Sequence, residues 1–150
     1  MLSKMIILAI LLAGTDSPLF SQSNTRLDEL LSQSPARLDS ALYLVLSSAA
    51  KIPENATSAQ AFETAVSIGL VAKEKQASGP VTVQDLSFLL MKTLKTKGGL
   101  EWSLLPTARA AYRELAFHDL INTSAGPDRE LSGDEVVRTF SAVKAYAEGD

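Results

Sequence analysis

Cysteine is absent from the 150-residue chain. That absence excludes disulfides, thiolate metal sites, thiol nucleophiles and lipid attachment through sulfur together. Stability therefore has to come from packing alone. Positive charge is also scarce: 14 Lys and Arg stand against 17 Asp and Glu, for a net charge of −3. Nucleic-acid phosphates require clustered Lys and Arg, so no nucleic-acid partner is expected. Histidine occurs once, at His118. Zinc sites take three or four protein ligands, commonly His or Cys, so none is expected. Glu114 and Asp119 flank His118, yet no Ser or Thr is assigned to it as a nucleophile. Without an acid, base, metal or nucleophile set, the chain reads as a non-enzyme that needs no cofactor.

Hydrophobic residues make up 46% of the chain. That suffices for one packed core in a single domain. The apolar run Met5–Ala13 follows Lys4 and gives way to Ser17, Ser21 and Ser23. A positive start, an apolar middle of about 7–15 residues and a small-residue exit describe a secretory signal peptide. The run is shorter than the ~20 residues that cross a bilayer. Residues 1–21 are thus expected to be removed after Ser21, with Ser23 as second choice. Thr15 stands where a lipoprotein would need Cys after Leu12-Ala13-Gly14. The expectation is an exported protein, periplasmic or at the cell surface, with no stable membrane anchor after cleavage.

The remaining residues, 22–150, carry a repeat. Ala61-Phe62 matches Ala111-Tyr112, Gly69-Leu70-Val71 matches Asp119-Leu120-Ile121, Val81-Thr82 matches Leu131-Ser132, and Asp85-Leu86 matches Glu135-Val136. All are separated by the same 50 positions, the mark of a repeated supersecondary unit. Each copy reads as helix, loop, helix, at about 57–97 and 107–146. Phe62, Ala65, Val66 and Leu70 form one inner face; Ala108, Ala111, Tyr112 and Leu115 form its counterpart. Thr57 or Ser58, Thr82, Thr107 and Ser132 are candidate helix caps, and Ser132 with Glu135 makes a capping box. Leu86, Leu89, Leu90 and Leu94 form the buried stripe of one second helix, and Val136, Phe140 and Val143 that of the other. Gly98-Gly99 is expected to end the former.

A weaker helical pair is read at 25–51. Ser34-Pro35 resembles a cap followed by Pro at the first helical position. Leu38, Ala41, Leu42, Val45 and Leu46 continue the apolar stripe. Matching Ser34 to Thr82, Leu38 to Leu86 and Leu42 to Leu90 makes this a third copy of the second helix, around a shared axis. The expected fold is all-α, about six helices packed as one small bundle.

The repeat resembles the S-layer homology domain over about residues 57–146. Gly69-Leu70-Val71 matches that family's end of the first helix. Val81-Thr82 with Asp85, and Leu131-Ser132 with Glu135, match the apolar residue, Thr and acidic ends of its Thr-Arg-Ala-Glu motif. The resemblance implies a helical envelope module that binds cell-wall polysaccharide. It departs at the motif Arg, replaced by Val83 and Gly133, and at the leading Trp, replaced by Thr57 and Thr107. The partner expected on this basis is cell-wall polysaccharide, peptidoglycan or an envelope protein. The alternative is a protein-binding helical module with no glycan affinity.

Three residues are candidates for ligand binding: Trp102, Arg109 and Arg113. Trp102 can stack on a sugar ring or anchor a partner, or it can close one end of the core with Leu100, Leu104 and Leu105. Arg109 and Arg113 lie four apart on one helix face. With Lys95 and Lys97 they can hold an anion, or they can form a solvated surface near Glu101 and Glu114. Asp128, Ser132 and Glu135 fall at positions five, nine and twelve of a calcium-loop pattern beginning at Ser124. Arg129 occupies the place of its glycine, so calcium is not expected.

Overall fold

The computed structural model describes residues 18–149, with side chains from residue 22. The leader expected at 1–21 lies outside the described residues, except that 18–21 open the first helix. Seven helices and no strand occur among the described residues. They are α1 (Pro18–Leu31), α2 (Leu38–Ser48), α3 (Ser58–Ser67), α4 (Val83–Thr93), α5 (Leu100–Leu104), α6 (Ala108–Phe117) and α7 (Gly133–Gly149).

Three helical pairs form a closed ring. The inner helices α2, α4 and α7 all touch one another. Each also carries the outer helix of a different pair: α3 lies on α2, α6 on α4, and α1 on α7. A lone helical hairpin cannot bury its apolar face, so each pair here is covered by its neighbour. The inner stripe recurs at matched positions. Ala41, Leu86 and Val136 are buried, as are Val45, Leu90 and Phe140 one turn later.

Backbone hydrogen bonds fix the relation between the copies. The Ala36 N–H donates to the Leu131 carbonyl at 2.7 Å, Val81 to Ala36 at 3.0 Å, and Leu131 to Val81 at 3.0 Å. All three residues are buried, so each group needs a protein partner and finds it in another copy. A second cycle runs in the opposite sense. Leu38 N–H donates to Gly79, Val83 to Arg129, and Gly133 to Gln33, at 2.8, 3.0 and 2.9 Å.

These cycles correct the register expected for the first copy. Leu38 matches Val83 and Gly133, not Leu86. The cap is Arg37 rather than Ser34, and it makes no side-chain capping bond. The first N–H groups of a helix lack intrahelical partners. In α2 the loop of the next copy supplies them: Leu38 and Asp39 donate to Gly79 and Ala77. Helix α4 has the equivalent bonds, from Val83 and Gln84 to Arg129 and Pro127, and a Thr82 cap besides; α2 relies on the backbone bonds alone, and the missing cap hid its start. Elsewhere Thr57 and Gln60 form a capping box, Thr82 and Thr107 accept from Asp85 and Ala110, and Ser132 and Glu135 cap reciprocally.

Helix α4 ends at Thr93, ahead of Gly98-Gly99. Helices α2, α3, α4 and α6 all close through a left-handed residue, at Ala50, Gly69, Lys95 and Asp119. In each, the following N–H reaches back to a carbonyl of the last turn, as Leu70 does to Ala65 and Leu120 to Leu115. Only Gly69 occupies this conformation without a Cβ penalty. Ala50 is exposed at φ 53°. Ala50→Gly should therefore raise unfolding stability by about 0.5–1 kcal/mol, read from the midpoint of urea denaturation. An unchanged or lowered midpoint would contradict this account of the helix end.

Candidate functional site

The loop before α7 folds back beside that helix and leaves a cleft of about 310 Å³. Its walls are Leu120, Ile121 and Asn122 from the segment just after α6, Arg129 and Leu131 from the end of the same loop, and Glu135, Arg138, Thr139 and Ala142 from α7. Val83 and Leu86 of α4 also line it. Spacing of three and four along α7 puts Glu135, Arg138, Thr139 and Ala142 on one face. The result is an apolar floor with a polar rim.

Charge in the cleft is organised by Arg129. Its guanidinium meets Glu135 at 2.7 Å, and its side chain is only 22% exposed. The buried Arg129 Nε has no hydrogen-bond partner, so one donor of the fork is unused. Glu135 is also held by the Ser132 N–H at 3.0 Å. Burial pushes the Glu135 carboxyl up, but the Ser132 amide and the Arg129 guanidinium outweigh it and hold the group below its ordinary 4.5. A carboxyl with a lowered folded-state value stabilises the fold fully above its unfolded value. That contribution is lost as pH falls below about 4.5 and through the depressed value. Glu135→Gln should thus flatten part of the acid limb of the stability–pH curve. If the variant and the parent lose stability in parallel below pH 4.5, the Arg129–Glu135 pair makes no such contribution.

The three residues singled out from sequence are not brought into one pocket. Trp102 lies on α5 and lines a shallow concavity with Lys92, Lys95, Lys97, Gly98 and Pro106. Its ring meets Phe88 edge-on at 6.2 Å, and Lys92 Nζ lies 5.7 Å from the ring centre. Trp102 packs on the core, but Leu100, Leu104 and Leu105 do not join it. The expected four-residue plug is thus reduced to Trp102 alone, because a five-residue helix can turn only one face inward.

Arg109 and Arg113 line a different hollow with Gln84, Tyr112, Pro127 and Asp128. Arg113 pairs with Glu101 at 3.0 Å, both largely exposed. His118 Nε2 sits 3.2 Å from both Glu114 and the Tyr146 hydroxyl. The cluster ties α6 to the end of α7.

The motif-Arg positions are buried. Val83 is core, and Gly133 lies against α1 so closely that an added Cβ would sit 1.6 Å from the Leu30 carbonyl oxygen. Gly133 therefore has no room for a guanidinium, while Val83 gives the cleft wall an apolar group in its place. The cleft residues Asn122, Arg129, Arg138 and Thr139 were missed from sequence because they converge from two segments. Glu135 was noticed, but capping had already accounted for it.

No family model, curated protein or solved structure matches the chain.

Proposed function

We propose that the chain is an exported, non-enzymatic envelope-binding module, S-layer-homology-like in its repeat, whose ligand is an envelope polysaccharide such as peptidoglycan. The observation carrying this reading is the cleft beside α7, with a polar rim over an apolar floor. Ligand sites of this kind combine apolar walls with a few placed polar groups. The CH face of a sugar ring would rest on Leu120 and Ile121. Its hydroxyls would meet Asn122 and Thr139. Arg138, which spends only part of its donor set on Asp134, would hold a carboxylate or acetamido oxygen. Recognition would thus fall on loop and α7 residues in place of the missing motif Arg.

Pull-down with purified peptidoglycan or wall polysaccharide tests the reading. Binding is expected for the parent chain and for Trp102→Ala, with a loss of about ten-fold for Arg138→Ala combined with Asn122→Ala. If Trp102→Ala abolishes binding with helicity unchanged, the surface near Trp102 is the site instead. A second reading, a protein-binding module without glycan affinity, draws on the exposed Ile68 and Phe117 at the ends of two outer helices. A blank glycan pull-down with an envelope protein recovered would favour it.

A further inference from the structure

The most apolar exposed corner of the described surface is α5 and the residue after it. Leu100, Leu104 and Leu105 are 78, 70 and 68% exposed. Leu100 and Leu104 share one face of the helix, opposite Trp102, which turns toward Phe88. On the Trp102 side of α5 stand Lys92, Lys95 and Lys97, all exposed. None of the three makes an ion pair among the described residues. Lys92 instead lies over the rings of Phe88 and Trp102. The carboxylates at this corner are already held: Glu101 by Arg113 at 3.0 Å, and Glu114 beside His118 at 3.2 Å.

We propose that this corner, Leu100, Leu104 and Leu105 with Lys92, Lys95 and Lys97 on the Trp102 side of the same short helix, docks reversibly on an anionic phospholipid surface. Such a surface is apolar beneath and negative at the headgroups. An exposed apolar face with exposed lysines across the helix from it offers one group to each layer. Interfacial elements bind in this way, apolar side chains entering the acyl boundary and basic ones meeting the anionic headgroups. Lysine stems are long enough to carry their ammonium groups from that side to the headgroups. The chain carries a net charge of −3, so docking on an anionic surface depends on a local cluster of cations such as this one. The contact is peripheral: no helix among the described residues is long and apolar enough to cross a membrane. It is also separate from the cleft beside α7, with which it shares no residue.

The single tryptophan makes the test local. Full-length protein is titrated with phosphatidylglycerol–phosphatidylcholine vesicles carrying brominated acyl chains, and Trp102 quenching is followed. The apolar run at Met5–Ala13 offers a second route to a vesicle, but quenching that arises through it would not respond to substitution at Leu100, Leu104, Lys95 or Lys97. Quenching is expected with anionic vesicles, with little on pure phosphatidylcholine, and high salt should reverse it. The double variants Leu100→Asp with Leu104→Asp, and Lys95→Glu with Lys97→Glu, should each weaken it about ten-fold or more. All four positions are exposed, so circular dichroism should match the parent, and glycan pull-down should be unaffected. Absent quenching on anionic vesicles would overturn the proposal. So would quenching that neither double variant weakens. A concentration-dependent dimer dissolved by the leucine variant, with no vesicle binding, would instead assign the corner to a second copy of the chain.

Discussion

Gly133→Ala should leave the protein unfolded or at least about 3 kcal/mol less stable. The new Cβ would fall 1.6 Å from the Leu30 carbonyl oxygen and 2.6 Å from its carbon. Those atoms are backbone, so no rotamer change can relieve the overlap. Relief requires α1 to withdraw from α7, which breaks the bond from Gly133 N–H to Gln33 and uncovers the buried Leu30. Overpacking ordinarily costs about 1–3 kcal/mol, and a collision with fixed main chain belongs at or above the top of that range. Urea denaturation followed by circular dichroism reads the effect. A shift of under ~0.5 kcal/mol would mean that α1 is not held against α7 in solution.

The second large effect is expected at Leu90. Its side chain is fully buried on α4, at the position matched by Val45 and Phe140 in the other inner helices. Leu90→Ala leaves a cavity that three helices must collapse to fill, and such truncations cost about 2–5 kcal/mol. The natural comparison is Leu104→Ala, the same chemical change at a residue 70% exposed. Exposed positions without special contacts change stability by about 0.5 kcal/mol or less. If the two variants lose stability equally, the division between inner stripe and α5 corner is wrong.

The parts of this fold legible in the sequence are those governed by local rules. The copies at about 57–97 and 107–146 stand out because each repeats its cap, its apolar spacing and its loop anchor without a gap. Where a non-local contact replaces a local signal, the reading slips. Helix α2 starts at Leu38 because Gly79 and Ala77 accept its first N–H groups, and nothing near Leu38 records that. Ser34-Pro35 offered a local signal in its place. The end of α4 slipped for the reverse reason: Lys95 adopts the conformation that glycine advertises, without being glycine, and Gly98-Gly99 drew the expected end past it. Helix α5 is a single turn and too short to register as a period.

The candidate cleft was harder still. Asn122, Arg129 and Arg138 share no spacing pattern, and the loop between them is brought beside α7 by the backbone bonds of the ring. Trp102, Arg109 and Arg113 drew notice through residue type and nearness in sequence. Packing separates them, since Trp102 turns inward while the arginines face the loop at Pro127 and Asp128.

The cycle joining Ala36, Val81 and Leu131 also bears on the order of assembly. Each member satisfies the next, so none is complete until the last strip of chain arrives. A growing or threading polypeptide that has presented only its first two pairs keeps the Ala36 amide and the Val81 carbonyl waiting. Large closure distances slow folding, because loop entropy is lost before the contact rewards it. The chain should therefore remain pliable until Leu131 is free to dock, then lock in one cooperative step.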